Sequence, residues 1–300
     1  MAAVLAAGMI FTMTGCNAIT IDGEGDAASA SEGSGAIGFS VSTLNNPFFV
    51  SLSEGAKKAA DEKDVKLVTV DAGDDAAKQT SDIEDLISRN VSVLIVNPVD
   101  SDAVAPAVQN AVSKGIKVIS VDRVVNGVEV DCQIASDNVA GAQMATEYLE
   151  ELIGKDAKVA EIQGVTGASA TIDRGAGFHN VADKDFKVVA SQSANFNRAE
   201  GMTVMENILQ SDPSIKGVFA HNDEMALGAV EAVSASGKDI KVVGFDATDD
   251  AVAAVKAGKM AATVAQKPDK MGETAVETAI QLIAGESVDK SIPVEVELIK

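Results

Sequence analysis

Tryptophan is absent from this sequence, and its 300 residues include one tyrosine and nine phenylalanines. Scarce aromatic rings are normally expected in a hydrophobic core. Two of them, Phe48 and Phe49, instead follow a run of polar, turn-forming residues in the stretch STLNNPFF. This stretch joins a strand-like segment to a helix-like one, so the two rings require an explanation other than simple core formation.

Positive charge is also in short supply. The chain has 24 Lys and Arg residues against 45 Asp and Glu residues, a net charge of −21. Such a surface repels nucleic-acid backbones and anionic lipid, which argues against DNA or RNA as a partner. The composition favours a protein that is soluble outside the cell.

Cysteine occurs twice, at Cys16 and Cys132. The apolar run MAAVLAAGMIFTMTGC, residues 1–16, is too short to span a bilayer and is typical of a secretory signal peptide. It ends in Met-Thr-Gly-Cys, which resembles the lipobox of bacterial lipoproteins, so we expect Cys16 to be acylated. Residues 17–35 are rich in Gly, Ser, Ala and acidic residues, which predicts a flexible tether. A lipid anchor of this kind indicates the outer face of a Gram-positive cell membrane; the alternative is an ordinary signal peptide and a periplasmic protein.

Motifs of catalysis and cofactor binding are missing. The sequence has no G-x-S-x-G or Walker motif, and its G-x-G-x-x-G match, residues 33–38, runs into the first predicted strand instead of joining a strand to a helix as a dinucleotide site requires. His179 and His221 belong to different predicted strand–helix units and have no Cys or carboxylate at metal-ligand spacing. We therefore expect no enzyme activity, no cofactor and no metal.

Short runs rich in Val and Ile alternate with amphipathic segments from residue 36 onward. This alternation predicts an α/β fold of mostly parallel sheets with helices on both faces. Nine strands are too many for one open sheet of this length, and the rhythm breaks at DCQIASDNVAG, residues 131–141, so we expect two similar lobes. The predicted strands are AIGFSV, KLVTVDA, VSVLIVNPV, KVISVDR, KVAEIQGV, KVVASQSA, GVFAHN, KVVGFDA and AATVAQ.

Polar and aromatic residues recur at the carboxyl ends of these strands, where α/β sheets bind ligands. Taken singly, each has another explanation: a phenylalanine in the core, a surface ion pair, or a helix cap. Together they suit a sugar, whose C–H faces stack on aromatic rings and whose hydroxyls need both donors and acceptors. The candidates are Asn46, Phe48, Phe49, Asp122, Arg123, Arg174, Phe196, Asn222, Phe245, Asp246 and Gln266.

The same segments carry a resemblance that runs from about Ala36 to the C-terminus. VSTLNNPFFVSL, VNPVDSDAV, VDR, IASDN, DRGAGF, FAHNDEMALGA, VVGFDAT and AATVAQKP resemble, in this order, the type I periplasmic sugar-binding proteins. Within that family they are most similar to the ribose-binding proteins of bacterial ABC importers. The eleven candidates match the positions that bind the pentose in that family. Departures lie beside the site: His221 precedes Asn222, and Ala247 stands where glycine is common.

The resemblance implies a monomer that binds ribose, or a close relative, between two lobes and delivers it to an ABC permease. The N-terminal lobe would hold residues 36–137 and 267–293, and the C-terminal lobe residues 138–266 and 294–300, joined by a three-segment hinge. A receptor for a furanosyl autoinducer or another monosaccharide, feeding signalling or chemotaxis, stays open as an alternative. A sugar-responsive repressor of the same fold would need a DNA-binding helix-turn-helix ahead of Ala36 and a basic face, which the sequence does not offer.

Overall fold

Runs of β-branched residues form the strands, and the amphipathic segments between them form the helices. The structure is a computed structural model and describes residues 35–300. The predicted signal peptide, Cys16 and the tether as far as residue 34 lie outside the described residues.

The elements follow one another in a regular βα rhythm. The first part of the chain contains β1 (Ile37–Val41), α1 (Pro47–Glu62), β2 (Leu67–Asp71), α2 (Ala76–Ser88), β3 (Val93–Val96), α3 (Ala105–Ser113), β4 (Lys117–Val121) and β5 (Cys132–Ser136). The second part contains α4 (Asn138–Ile153), β6 (Lys158–Gln163), α5 (Ser169–Asp185), β7 (Lys187–Ser193), α6 (Arg198–Ser211), β8 (Gly217–Ala220), α7 (Asp223–Ser236), β9 (Lys241–Asp246), α8 (Asp249–Lys256) and β10 (Ala262–Ala265). The C-terminal part contains α9 (Pro268–Ile283), β11 (Ser291–Val294) and β12 (Glu297–Ile299).

Two six-stranded sheets organise these elements. The first has the order β2–β1–β3–β4–β5–β11, with every neighbouring pair parallel. The second has the order β7–β6–β8–β9–β10–β12, in which β12 alone runs antiparallel to its neighbour. The predicted α/β architecture of two similar lobes is confirmed.

Each sheet has a hydrophobic core on both faces. In the first lobe one core lies under α1 and α9, and the other lies under α2 and α3. In the second lobe, α4 and α5 cover one core, and α6, α7 and α8 cover the other. Strands covered on both sides read as continuous apolar runs, and all four residues of β3, VLIV, are buried.

The chain passes between the two sheets three times. It leaves the first sheet after β5, returns from β10 to α9, which packs against α1, and leaves again between β11 and β12. The predicted three-segment hinge is thus present. The limits of the two lobes stay a prediction; Val294, assigned above to the C-terminal lobe, pairs with Ser136 in the first sheet.

Candidate functional site

The carboxyl ends of strands from both sheets meet at one place, and the predicted site residues gather there. Nine of the eleven candidates line a small cavity between the lobes, about 10 Å³ in volume, on the scale of one water molecule. The lobes therefore approach each other closely. The lining consists of Asn46, Phe48, Phe49, Asp122, Arg123, Ala170, Arg174, Phe196, Asn222 and Asp246. Ala170 is an addition that the sequence did not suggest.

Phe245 and Gln266 lie next to this lining. Phe245 is fully buried in the core of the second lobe, and the Arg174 guanidinium sits 3.9 Å from its ring centroid. Gln266 donates its amide N–H to Asp246 Oδ1 at 2.8 Å and faces a neighbouring cavity of about 370 Å³. Phe245 therefore contacts the lining residue Arg174 from the core side, and Gln266 contacts the lining residue Asp246.

The start of α1 supplies the aromatic wall on the first lobe. Asn46 is the N-cap of this helix, and its Oδ1 accepts a hydrogen bond from the Phe48 N–H at 2.9 Å. The cap leaves the Asn46 amide N–H₂ for other partners. Phe48 and Phe49 meet edge to face at 5.2 Å and are both nearly buried. The two rings thus belong to the core and to the cavity wall at once, which explains their position in the sequence.

Asp122 and Arg123 follow β4, with Asp122 in the left-handed backbone region at φ 64°. Asp122 Oδ2 accepts a hydrogen bond from the Asn97 amide at 3.3 Å and lies 3.6 Å from Arg123 Nε. The Arg123 guanidinium lies 5.0 Å from the Phe49 ring centroid and 5.2 Å from that of Phe196, which belongs to the other lobe. Arg123 therefore contacts aromatic rings of both lobes.

Arg174, on α5, is held from three sides. Its Nε–H donates to Asn138 Oδ1 at 2.8 Å, and another guanidinium N–H donates to the His221 carbonyl at 2.6 Å. Asp246 Oδ1 lies 3.7 Å away. Asn138 opens α4 just after the first crossing between the lobes, so a residue at the hinge orients the arginine.

The cavity is electrostatically balanced, because Asp122 and Asp246 face Arg123 and Arg174. Burial raises the pKa of both aspartates, against the attraction of the arginines, and lowers the pKa of both arginines. The two carboxylates and two guanidinium groups, in their ionised forms, sum to zero charge. A neutral ligand fits such a site better than an ion, because an added charge would be desolvated without a counter-charge.

Several buried side-chain atoms in and beside the site make no hydrogen bond to the described residues. Within residues 35–300, the buried atoms Asp122 Oδ1, Arg123 Nε and Gln266 Oε1 have no hydrogen-bond partner. Buried polar groups are rarely left without partners, so such groups at a cleft indicate a polar ligand. They comprise one donor and two acceptors, a combination that hydroxyl groups satisfy.

Direct contacts between the lobes flank the cavity. The Ser101 N–H donates to the Gly167 carbonyl at 3.0 Å, and the Ser169 N–H donates to Ser101 Oγ at 3.3 Å. Ser169 Oγ in turn accepts from the Val124 N–H at 3.0 Å. Gly167 also lies so close to the Asp100 carboxylate that an added Cβ would collide with it. The closed arrangement therefore depends on contacts other than those of the cavity lining.

Behind Arg174, a buried histidine pairs with a buried glutamate. His221 Nε2 lies 2.9 Å from Glu161 Oε1, and both side chains are fully buried. Burial raises the pKa of Glu161, but the hydrogen bond and charge attraction of His221, together with the contributions of Ser191 and His179, lower the pKa overall. Burial lowers the pKa of His221, whose Nδ1 has no partner among the described residues. The ring is therefore neutral and donates from Nε2, since a proton on Nδ1 would have no acceptor.

Other kinds of site find no support in the part of the chain that the structure describes. Residues 35–300 contain no group of three His, Cys, Asp or Glu side chains arranged to hold a metal ion. Within the same range, no helix has the length and apolar content needed to cross a bilayer.

Two lobes that close over a charge-balanced cavity with aromatic walls define a two-lobed binding protein. A family model described as the periplasmic binding protein domain matches residues 37–287. The chain therefore belongs to the periplasmic binding protein family, and the expected type I fold and non-catalytic role are confirmed by that membership.

The chain is similar to curated binding proteins along most of its length. It is 52% identical to the ribose import binding protein RbsB of Bacillus subtilis over 262 residues, 87% of this chain and 86% of that protein. It is 48% identical to the Escherichia coli protein of the same name over 261 residues, 86% of this chain and 88% of that one. The structure is also similar to an ABC transporter solute-binding protein from Bacillus halodurans with bound myo-inositol, at 34% identity and a TM-score of 0.85, covering 90% of this chain and 95% of that one.

The buried histidine gives a prediction about pH. Between pH 7.5 and 5, the unfolded chain gains a proton at His221 near its ordinary pKa of 6.5, whereas the folded protein resists that proton. The stability that depends on neutral His221 is therefore lost as the pH falls. His221→Gln, which keeps a donor for Glu161, should remove up to about 2 kcal/mol of this loss at pH 5. Urea unfolding of both proteins across this range measures the difference. Parallel curves would mean that His221 takes up a proton as readily in the folded protein as in the unfolded chain.

Proposed function

We propose that this protein captures D-ribose, or a closely related sugar, between its lobes and delivers it to an ABC importer. The observation that carries the proposal is the cavity itself, with aromatic rings, two Asp–Arg pairs and unsatisfied donors and acceptors facing one another across two lobes. Similarity to two ribose import binding proteins at 52% and 48% identity supports the choice of sugar.

Each candidate has a task in this proposal. Phe48, Phe49 and Phe196 would pack on the C–H faces of the sugar, with Arg123 fixed between rings of the two lobes. Asp122, Asp246 and Gln266 would accept hydrogen bonds from its hydroxyls. Arg123, Arg174, Asn46 and Asn222 would donate, and bonds to ionised groups are the stronger ones. Phe245 would act through Arg174, which it supports from the core side.

The proposed mechanism is closure of the lobes around the sugar. A sugar that contacts both lobes stabilises the closed form over the open one, because the open form offers it half of the partners. We assign residues 36–137 and 267–294 to one rigid lobe and residues 138–266 and 295–300 to the other, with Val294 moved to the first lobe because it pairs with Ser136 in the first sheet. The importer would then recognise the closed, loaded monomer.

We also propose that acylated Cys16 anchors the protein on the outer face of a Gram-positive cell membrane, with residues 17–35 as its tether. The lipobox-like sequence Met-Thr-Gly-Cys supports this anchor. In a Gram-positive host, mass spectrometry of the membrane fraction should find an N-terminal peptide that begins with diacylated Cys16, and Cys16→Ser should release the protein into the medium. An unmodified or uncleaved N-terminus would contradict the anchor.

Calorimetric titration tests the sugar. Ribose should bind with micromolar or tighter affinity, about −8 kcal/mol or better, whereas arabinose, allose and galactose should bind at least tenfold more weakly. A furanosyl autoinducer belongs in the same panel, and its tighter binding would favour the signalling alternative. Failure of every sugar to bind would overturn the proposed function.

Two variants accompany the titration. Asp122→Ala removes an acceptor for the sugar hydroxyls and the counter-charge beside Arg123, which keeps its hydrogen bond to the Pro98 carbonyl, and it should weaken binding by about 2–4 kcal/mol. Asp156→Ala is the matched control, because its side chain is 88% exposed and precedes β6, away from the cleft. Equal affinities of the two variants would remove Asp122 from the binding site.

Gly167→Ala tests the closed arrangement without touching the cavity lining. The added Cβ would collide with Asp100, whose Oδ1 is already held by the N–H groups of Asp102 and Ala103. The variant should weaken ribose binding at least tenfold, about 1.4 kcal/mol, and leave the melting temperature without sugar unchanged.

The double variant Gly167→Ala/Asp100→Ala is its control. It removes the carboxylate that the new Cβ meets, so it should bind ribose more tightly than Gly167→Ala does. If Gly167→Ala binds like the wild type, the contact between Gly167 and Asp100 does not limit closure.

A further inference from the structure

The turn that carries Asp246 has an unfavourable backbone conformation. Asp246, at the end of β9, has φ 125°, and the next residue, Ala247, has φ 55°. Both angles lie in the region that favours glycine, and neither residue is glycine. Such a conformation persists only where the surroundings impose it. The structure around this turn therefore decides where the Asp246 carboxylate points.

Two buried side chains bind this turn. The Ala247 N–H donates to Thr263 Oγ1 at 3.1 Å, and the Thr248 N–H donates to Asp223 Oδ2 at 2.8 Å. The Thr248 hydroxyl also donates to Asp223 Oδ2, at 3.3 Å. Consecutive backbone N–H groups of the turn are thus fixed by residues of two other elements.

The two side chains also hold each other. Thr263 Oγ1 donates to Asp223 Oδ1 at 2.7 Å, and both residues are fully buried. Asp223 is the first residue of α7, directly after the candidate Asn222, and Thr263 lies in β10, three residues before Gln266. One hydrogen-bonded pair therefore connects the segments that carry Asn222, Asp246 and Gln266.

The surrounding sequence makes room for this pair. Gly244 in β9 lies against Asp223 and Met260, and a Cβ there would collide with Asp223 Oδ1 and with the Met260 methyl group. Burial raises the pKa of Asp223 to about 7, against the hydrogen bonds from Thr263 and Thr248. A carboxyl group kept in so unfavourable a place needs a reason beyond the packing of the core.

We infer that Asp223 and Thr263 are positioning residues, which hold the strained turn so that the Asp246 carboxylate meets the sugar. The inference rests on the proposed function, because it assigns Asp246 a contact with the ligand. Neither residue touches the cavity. Their effect on affinity must therefore pass through Asp246.

A double-mutant cycle tests this inference. Thr263→Val replaces the hydroxyl by a methyl group of similar size and frees the Ala247 N–H, so it should weaken binding of the preferred sugar at least tenfold. In an Asp246→Asn background the same change should weaken binding less than twofold, because the carboxylate that depends on the turn is gone. Thr263→Ser keeps the hydroxyl and should bind within threefold of the wild type.

Thr146→Val is the matched control. Thr146 is also fully buried in the second lobe, but its hydroxyl donates to the Ala142 carbonyl within α4. This variant should bind within twofold of the wild type. Calorimetry of each variant without sugar gives its folded fraction. If Thr263→Val does not fold, Asp223→Asn provides a second probe. It alters the same hydrogen-bonded pair, so its effect on affinity should show the same dependence on Asp246.

The outcomes separate the two hypotheses. If the wild type binds a sugar but the losses from Thr263→Val and Asp246→Asn simply add, or if Thr263→Ser loses as much affinity as Thr263→Val, the pair is structural and the inference is wrong. If the wild type binds no sugar of the panel, the proposed function fails, and the inference fails with it.

Discussion

The balance of buried charge between the two lobes is the constraint on which the site depends. Asp122 and Asp246 face Arg123 and Arg174, and all four side chains are nearly buried. Ions taken from water are costly unless they are paired and their remaining donors and acceptors are satisfied. The ion-pair distances here are 3.6 and 3.7 Å, too long for good hydrogen bonds. The charges therefore balance one another while part of their hydrogen-bonding capacity stays free for a neutral, hydroxyl-rich ligand.

The same charge balance requires residues that orient the buried charged side chains. A charged group must be oriented by something other than the ligand if it is to be ready for it. Asn97 holds Asp122, and Asn138 holds Arg174. Backbone strain contributes as well, because Asp122, Phe196 and Asp246 all have positive φ angles. A left-handed residue at the end of a strand turns the chain sharply, so that its side chain points into the cleft and not along the sheet.

The sequence predicted the strands and the site residues better than it predicted the buried residues that orient the site. All nine predicted strands are present. The central ones are covered on both faces and read as unbroken apolar runs, whereas the edge strands β2 and β7 are partly exposed. Three strands lie outside these nine. β5 falls in DCQIASDNVAG, where the rhythm of the sequence breaks, and β11 and β12 were not predicted; these two are short, partly exposed strands at one edge of each sheet and carry little apolar signal. Site residues were found because the carboxyl ends of parallel strands converge. Successive residues of a strand point to opposite faces, so Phe245 and Asp246 could not both line one cavity. Glu161 and Thr263, polar residues inside apolar strands, were the available signal for the buried supports.

Contacts between the lobes and contacts with the sugar both shift the equilibrium between the open and the closed form. Hydrogen bonds such as Ser101 to Gly167 stabilise the closed form whether or not a sugar is bound. They raise the apparent affinity for every sugar equally, because they raise the fraction of molecules that are ready to bind. The cavity lining acts differently, since its unsatisfied groups are completed by one arrangement of hydroxyls and are left buried and unpaired by others. Contacts between the lobes at the rim of the cleft can thus alter the affinity for all sugars. Specificity is determined by the charged pairs and by the residues that orient them. This separation accounts for the position of Asp223 and Thr263 beneath the site, where they can fix the direction of Asp246 without entering the space that the sugar requires.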